Sequence, residues 1–387
     1  MSEMQEKVEL KEELVQKPSK YQLVTRKMEP MLMGISNAVR RAMIGVGEKA
    51  NIRRKKSLIA KVNLSELQKN EINAFYKKHY GKKVPFHWHR LYQSYTGTYH
   101  YDYFPEVLWS TKLEPLLNPY READFLGDKN LLEPLFGAVE GVRIPKTYLS
   151  CVKGFFRSAD MEMLDRKGGE EALQNIGRCV IKKTVETSSG RDVALCDIQN
   201  GVDKKSGFCV SELLSLFGNN FIVQELIEQF APLATLNKSS LNTFRVMTYL
   251  LDGAVYHCPP ALRLGRSGAE KDNIHYGGIC VGVTETGRLR KYAFSEQGEA
   301  FEEHPDSHIT LLDYEIPGFD RLIDVAHRLH ARVPYLGLVS WDLSLDKNGI
   351  PVLIEMNTMR QSAWFCQMVN GEPLFGENTS KILEIIR

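Results

Sequence analysis

The sequence predicts an α+β fold built from more than one lobe, on three observations. The chain has 387 residues, more than a typical single domain, so two or three packed lobes are expected. From Asp128 onward, short helical patterns alternate with β-rich runs, which is typical of an α+β or mixed architecture. Near the C-terminus, "SWDLSLDKNGIPVLIEMNT" (339–357) has the pattern of a β-hairpin.

The composition is that of an ordinary globular enzyme, with 25% charged and 43% hydrophobic residues. A net charge of +2 gives no overall attraction to nucleic acid. No apolar run approaches the ~20 residues of a membrane span, and the polar N-terminus lacks the apolar core of a signal peptide. Seven cysteines without a CxxC pair favour reduced thiols. We therefore expect a cytoplasmic protein with no nucleic-acid partner and no transmembrane segment.

Residues 1–60 are predicted to form a polar, basic tail and helix. The basic side chains concentrate in residues 38–61, and two interpretations of them stay open. They line a solvated helix face, or they contact an anionic membrane surface or glycan peripherally, at about 1 kcal/mol per basic residue near anionic lipid. These side chains are Arg40, Arg41, Lys49, Arg53, Arg54, Lys55, Lys56 and Lys61.

Residues 61–127 are predicted to form a separate N-terminal region that begins with a helix. Asn63 or Ser65 is the candidate N-cap, and apolar residues follow at helical spacing. The stretch "FHWHRLYQSYTGTYHYDYFPEVLW" after that helix is rich in aromatic residues. Such a density is typical of packing between lobes, and the alternative is a surface that stacks on sugar rings.

A lysine and a loop of small residues form the first candidate binding element. The β-branched run after Arg178 predicts a short strand that reaches Lys182, and the loop that follows contains Ser188, Ser189 and Gly190. The backbone N–H groups of such a loop approach an anion closely, and a strand-end lysine holds a phosphate as a point charge. A solvated turn is the alternative. The sequence contains no GxxxxGK[ST] phosphate loop.

The middle of the chain supplies a candidate nucleobase contact and candidate anion clamps. "FIVQELIEQF" (221–230) predicts a strand whose backbone and Glu225 meet an adenine edge where two lobes join. "NTFRVMTYL" (242–250) predicts a strand with Arg245 on the face opposite its apolar residues. Together with Arg263 and Arg266, Arg245 has the fork geometry that clamps a phosphate or carboxylate, and surface salt bridges are the alternative.

The C-terminal hairpin pairs two acids. Asn348-Gly349 predicts a two-residue type I′ turn, and in that register Asp342 lies directly opposite Glu355, with Asn357 on the same face. Like charges in this position repel, whereas two carboxylates and an amide oxygen suit Mg²⁺ together with substrate phosphates. A solvated acidic face is the alternative.

Taken in order, these elements resemble the ATP-grasp superfamily and, more narrowly, the sugar-transfer-associated ATP-grasp family. The resemblance covers roughly residues 60–387, and its most specific motif is the D…E-x-N of the hairpin. It implies two α+β lobes that close on ATP, after an N-terminal extension rich in helices and aromatic residues. The implied N-lobe is 128–226, and the C-lobe, with the metal-binding hairpin, is 227–387. The stretches that carry it are "AFYKKHYGKKVPFHWHRLYQSYTG", "DKNLLEPLF", "VIKK…SSGRDV", "VQELI", "LNTFRV", "LRLGRSG…DNIHYGG", "WDLSLDKNGIPVLIEMN" and "NGEPLFGENTSKILEII".

The resemblance also implies residue roles. The basic contacts to the ATP phosphates are Lys129 and Lys182, joined by the loop Ser188, Ser189 and Gly190. Glu225 and the backbone through Ile227 hold the adenine, and Asp342, Glu355 and Asn357 ligate Mg²⁺. Arg245 and Arg263 are the clamps for the transition state and the acyl phosphate. Asp272 is a candidate base for an incoming amine, with a structural turn as the alternative. The sequence departs from the family pattern in having a single loop glycine and Lys183 where proline is frequent.

The activity that follows from the resemblance is that of an ATP- and Mg²⁺-dependent carboxylate–amine ligase. Its substrates would be a small-molecule or glycan carboxylate and an amine, in polysaccharide or glycoconjugate biosynthesis. Two alternatives stay open: an ATP-grasp kinase that phosphorylates a sugar hydroxyl, and a non-catalytic nucleotide-binding scaffold.

Overall fold

A computed structural model describes residues 20–185 and 193–387. The chain divides into two compact units, residues 1–50 and residues 51–387. Within the first unit, the described residues belong to helix α1 (Lys20–Arg54). Among the described helices, none combines the length and the apolar character needed to cross a bilayer.

The second unit begins with short helices that precede all of its strands. Ser65 caps the second of them, with a capping box to Gln68, which confirms one of the two predicted N-caps. A π-helical turn, Trp109–Leu113, lies between two short α-helices. The helices are α2 (Lys56–Ala60), α3 (Glu66–His79), α4 (His87–Thr96), α5 (Glu106–Leu108), α6 (Glu114–Leu117), α7 (Tyr120–Leu126) and α8 (Leu132–Phe136), with a 3₁₀ turn at Lys129–Leu131.

The first sheet has seven antiparallel strands in the order β3-β2-β1-β7-β4-β5-β6. One face packs on helix α10 and forms its own core around Leu149, Ile181 and Val223. The elements are β1 (Thr147–Val152), β2 (Phe155–Ser158), β3 (Met163–Leu164), α9 (Arg166–Glu171), β4 (Gly177–Lys183), β5 (Val193–Gln199), β6 (Val202–Asp203), α10 (Val210–Phe217) and β7 (Phe221–Glu225).

The second sheet has eight strands, in the order β13-β12-β11-β10-β8-β14-β15, with β9 paired to β8. All its pairs are antiparallel, so the chain has the predicted α+β architecture with two separate sheets. The elements are α11 (Ala231–Leu236), β8 (Thr243–Leu251), β9 (Ala254–His257), β10 (Ala261–Leu264), β11 (Ile279–Val283), β12 (Leu289–Phe294), β13 (Ala300–Phe301), α12 (Phe319–Ala331), β14 (Leu338–Leu345), β15 (Pro351–Asn357), α13 (Trp364–Asn370) and α14 (Thr379–Ile385), with 3₁₀ turns at Ile274–Tyr276 and Gly376–Asn378.

The two faces of the second sheet belong to different cores. Phe244 and Val246 of β8 point into the core that includes helix α12. Met247 and Tyr249, on the opposite face, pack with the N-terminal helices and with α13 and α14. The aromatic-rich stretch lies in this second core: Trp88, Tyr92, Tyr103, Phe104 and Trp109 are buried, which confirms the packing interpretation for them.

The C-terminal hairpin reaches its predicted pairing by a different route. The turn is a three-residue loop, Lys347–Gly349, in which only Gly349 has a positive φ. A β-bulge at Ile354 then inserts one extra residue into β15. The two one-residue differences cancel, so Asp342 still lies directly opposite Glu355, as the sequence predicted. The predicted type I′ turn was wrong, and the predicted pair is confirmed.

The turn yields a stability prediction. Gly349→Ala places a side chain at φ 72°, with its Cβ 3.3 Å from the Phe230 ring, so the free energy of unfolding should fall by about 1–2 kcal/mol. Asn348→Ala should change the free energy of unfolding by no more than about 0.5 kcal/mol, because Asn348 does not have a positive φ. Urea unfolding measures both variants; equal losses in the two would indicate the type I′ turn instead.

Candidate active site

A row of charged side chains crosses the second sheet on one face. Glu355 of β15 lies opposite Asp342 of β14, and Asp342 lies opposite Arg245 of β8 on its other side. Arg263 of β10 lies opposite Thr243, two residues from Arg245 and therefore on the same face. The strand order thus brings together both predicted arginine clamps and both predicted metal-binding acids.

Asp342 is held by two arginines. Its Oδ2 lies 2.8 Å from the Arg263 guanidinium, and its Oδ1 lies 2.6 Å from Arg245 Nε, in an ion pair without hydrogen-bond geometry. Burial opposes ionisation of this carboxyl, but the two guanidinium groups outweigh it and hold its pKa below the usual value. The repulsion expected between Asp342 and Glu355 is therefore offset inside the protein, because β8 supplies an arginine that the hairpin sequence does not reveal.

Arg263 is itself fixed by Thr243 and Asp272. Its guanidinium donates to Thr243 Oγ1 at 2.5 and 2.9 Å, and Nε lies 3.6 Å from Asp272. Asp272 Oδ2 accepts bonds from the backbone N–H and the hydroxyl of Thr243. Burial raises the pKa of Asp272, and Arg263 opposes that rise. The role of Asp272 as a base stays a prediction; its hydrogen bonds hold Thr243, which in turn accepts from Arg263. Thr243 had not been recognised as part of this site.

The two predicted phosphate-binding lysines contact consecutive residues of β15, Ile354 and Glu355. Lys129 Nζ lies 2.8 Å from Glu355 Oε1. Lys182 Nζ donates to the carbonyl of Ile354, the bulged residue, at 3.3 Å. Burial and the neighbouring charge of Lys129 lower the pKa of Lys182 to about 8, although Glu355 and Asp342 act in the opposite direction. Lys182 thus extends from the first sheet to the hairpin of the second.

Together these groups form a cluster with little net charge. Four basic side chains face three carboxylates, which leaves one net positive charge. The basic members are Lys129, Lys182, Arg245 and Arg263, and the acidic ones are Asp272, Asp342 and Glu355. Such a cluster is suited to an anion that arrives with a dication.

The predicted magnesium ligands lie at neighbouring positions of the hairpin: Asp342 is opposite Glu355, and Asn357 is two residues further along β15. Asn357 Nδ2 donates to the Ser340 carbonyl at 3.2 Å, which leaves the amide oxygen as its other end. Asp342 Oδ1 is buried and lacks a hydrogen-bonded partner. Two carboxylates and an amide oxygen fit Mg²⁺, which completes its shell with water and phosphate. Across residues 20–185 and 193–387, no three His, Cys, Asp or Glu side chains gather into a metal-binding group.

The predicted adenine contacts occupy the end of β7, but Glu225 faces away from Lys182. Its carboxylate is bonded to Arg143 and to the backbone N–H of Lys146, each at 2.5 Å. In the pairing of β4 with β7, Lys182 lies opposite Ile222, so Gln224 shares the Lys182 face. Gln224 Oε1 is buried without a hydrogen-bond partner, although its Nε2 donates to Pro145 O.

Gln224 is therefore a candidate nucleobase contact that the sequence argument missed. Strand alternation measured from Lys182 was the signal that could have found it. Ile227 follows β7 by two residues, outside regular structure, and the adenine-binding roles of Ile227 and Glu225 stay predictions. The predicted loop residues Ser188, Ser189 and Gly190 lie outside the described residues.

Comparison with known proteins finds one matching family. The model of the family described as sugar-transfer associated ATP-grasp matches residues 108–382. A search of curated proteins gave no match.

Comparison with solved structures finds, among others, a carboxylase, a ligase and a synthetase at low sequence identity. Biotin carboxylase of Campylobacter jejuni, solved as a β,γ-ATP complex, is 16% identical with a TM-score of 0.40, over 70% of this chain and 48% of that one. The D-Ala:D-Ser ligase VanG of Enterococcus faecalis is 15% identical with a TM-score of 0.38, over 71% and 62%. N5-carboxyaminoimidazole synthetase of Staphylococcus aureus, solved with ADP, is 10% identical with a TM-score of 0.35, over 63% and 48%. The chain spans about half the length of the first and the third.

The charge row yields a second stability prediction. Asp342→Asn leaves two buried guanidinium groups without their carboxylate, so the free energy of unfolding should fall by about 3–5 kcal/mol. Glu355→Gln removes a carboxylate that is 30% exposed and should cost only about 1 kcal/mol. Urea unfolding of both variants measures these two losses. If Asp342→Asn stabilises the protein, acid–acid repulsion governs this face.

Proposed function

The chain belongs to the sugar-transfer-associated ATP-grasp family, and from that premise we propose that it is an ATP- and Mg²⁺-dependent carboxylate–amine ligase. Its substrates would be a small-molecule or glycan carboxylate and an amine, and its pathway the biosynthesis of polysaccharide or glycoconjugate. ATP-grasp proteins with ligase activity among the structural neighbours agree with this direction.

The observation that carries the proposal is the pair of arginines that share Asp342. A kinase needs lysines and a metal for the phosphates, and Lys129, Lys182 and Glu355 would make those contacts in either case. Two guanidinium groups beside the metal-binding carboxylate suit a further need. They would stabilise the negative charge that develops on an acyl oxygen when a nucleophile adds to the carbonyl.

The reaction would proceed in two transfers. A carboxylate oxygen of the first substrate would attack the γ-phosphorus of ATP, and the bond between that phosphorus and the β-phosphate oxygen would break. ADP would depart with the bonding electrons, and the first substrate would become an acyl phosphate. The amine then attacks the acyl carbon, inorganic phosphate leaves with the bonding electrons, and the nitrogen loses a proton to give the amide. Arg245 and Arg263 would hold the acyl phosphate, while Lys129 and Lys182 would hold the phosphates of ATP.

The metal would be bound by the hairpin. Asp342, Glu355 and Asn357 would ligate Mg²⁺, and Gln224 would contact the adenine through its unpartnered oxygen. When bound, Mg²⁺ neutralises the charge of the β- and γ-phosphates. On nucleotide binding, Glu355 would turn from Lys129 to the metal, and Lys129 would pair with a phosphate instead. Neither the carboxylate nor the ammonium would then be left without a partner of opposite charge.

The proposal is tested by trapping the acyl phosphate. The protein is incubated with ATP, Mg²⁺, hydroxylamine and a panel of uronic acids and amino acids. We expect a hydroxamate with at least one carboxylate, together with ADP. Glu355→Gln, which should fold, is expected to lower turnover by at least about 100-fold, as loss of a metal ligand requires. A stable phosphosugar without hydroxamate would establish the kinase instead, and ATP binding without turnover would indicate the scaffold.

The pKa of Lys182 yields a prediction for nucleotide binding. Because phosphates favour the charged ammonium, nucleotide binding should take up a proton above about pH 8, where unbound Lys182 is mostly neutral. Affinity should then fall as the pH rises above 8, by up to about 10-fold per unit. Lys182→Arg, whose guanidinium stays charged, should flatten that dependence. Calorimetry in two buffers of different ionisation enthalpy measures the proton; equal pH dependence in both proteins would remove Lys182 from the site.

A further inference from the structure

The backbone that follows Asn357 is bound by two buried acids of the N-terminal helices. Glu114 accepts the backbone N–H of Arg360 at 3.1 Å and that of Gln361 at 2.8 Å. Glu106 accepts the N–H of Ala363 at 3.1 and 3.2 Å. Both acids are less than 5% exposed. Residues 360–363 are thus held from a part of the chain more than 240 residues away.

Asn118, one turn after Glu114, binds both strands that carry the metal-binding residues. Its Nδ2 donates to the carbonyls of Leu338, at the start of β14, and Thr358, directly after Asn357, at 2.7 and 2.6 Å. Its Oδ1 accepts the N–H of Leu338 at 2.9 Å. A single side chain therefore sets the spacing between the beginning of β14 and the end of β15.

A chain of hydrogen bonds leads from Glu114 to the Asn357 amide. Gln361, whose N–H is held by Glu114, accepts the Ser340 hydroxyl on its Oε1 at 2.5 Å. The Ser340 carbonyl in turn accepts Asn357 Nδ2. The orientation of the Asn357 oxygen, the end offered to the metal, thus depends on Ser340 and Gln361 and through them on Glu114.

The π-helical turn between the two acids places them on one side of the helix. In the turn Trp109–Leu113 the Trp109 carbonyl accepts the N–H of Glu114, five residues ahead, and a π-helical turn takes more residues than an α-helical one. Glu106 and Glu114, eight residues apart, therefore both reach the segment 360–363. From inside the turn, Trp109 Nε1 donates to the Gln361 carbonyl at 2.9 Å. Such turns are frequent near functional sites.

Holding this segment requires unfavourable features. Burial raises the pKa of Glu114 to about 8, even though two backbone donors favour its ionised form. Arg360 has a φ of 54°, a conformation that costs a side-chain-bearing residue on the order of 1 kcal/mol. Local strain and a buried acid persist where the surroundings impose them, and such sites concentrate around functional residues.

We propose that Glu114 and Asn118 are positioning residues of the magnesium site, which orient Asn357 through Gln361, Ser340 and the strand ends. The inference rests on the proposed function. It gives part of the N-terminal region a specific task, namely the support of one metal ligand. Removing a residue that hydrogen-bonds to a metal ligand, without touching the metal itself, typically lowers metal affinity by about 10- to 100-fold.

The test measures nucleotide binding by calorimetry, with a non-hydrolysable ATP analogue, in the presence and absence of Mg²⁺. Glu114→Gln and Ser340→Ala each break the path to Asn357. Both should weaken Mg²⁺-dependent binding by at least about 10-fold and leave Mg²⁺-free binding unchanged. The matched control is Glu106→Gln, a buried acid of the same helical segment whose carboxylate accepts the N–H of Ala363, two residues beyond Gln361. It should lower the melting temperature without changing the Mg²⁺ dependence.

Each of the following outcomes would overturn either the inference or the proposed function. If Ser340→Ala, the milder change, keeps the wild-type Mg²⁺ dependence, the inference is overturned, whether or not Glu114→Gln folds. An equal loss in Glu106→Gln overturns it too, since the effect would then be general loosening. If the wild-type protein binds the analogue equally well with and without Mg²⁺, the proposed function fails first. Mg²⁺-dependent binding that is the same in the wild type and the first two variants overturns this inference alone.

Discussion

The ion pairs of Asp342 with Arg245 and Arg263 determine the polar face of the second sheet. All three side chains are buried, so none is stable without the others: an unpaired guanidinium or carboxylate in such a place costs several kcal/mol. Asp342 lies on β14, between the strand that carries Arg245 and the strand that carries Glu355. The Asp342 carboxylate therefore determines where both guanidinium groups lie on this face of the sheet. Glu355 lies directly opposite it on the next strand.

A near balance of charge is what makes this face possible in a folded protein. A cluster of one sign would repel itself and would be expensive to bury, whereas here two arginines on β10 and β8 face two acids on β14 and β15. The charge of Lys182 is close to the limit of what this site tolerates, since burial and the charge of Lys129 together lower its pKa to about 8. Groups that folding has already removed from water need little rearrangement to receive charged substrates, which is the condition for electrostatic catalysis.

Sequence reasoning succeeded where the pattern is local and failed where a third element intervenes. The strand with Arg245 and the N-cap at Ser65 follow from alternation and capping. The pairing of Asp342 with Glu355 was predicted correctly, but from the wrong turn, because the three-residue loop and the bulge at Ile354 cancel. The partner of Asp342 could not be found this way, because it comes from β8, nearly one hundred residues earlier. The hold of Glu114 on residues 360–361 is longer still and has no periodic signature. The register of β4 with β7 places Gln224 on the face of Lys182, and the adenine contact through Glu225 stays a prediction.

The bulge at Ile354 determines which face of the sheet Glu355 joins. The three-residue turn alone would place Ile354 opposite Asp342, and the extra residue of β15 restores Glu355 to that position. The same residue presents its carbonyl to Lys182 Nζ at 3.3 Å. Without the bulge, Glu355 and Asn357 would point to the opposite face of the sheet, away from Asp342.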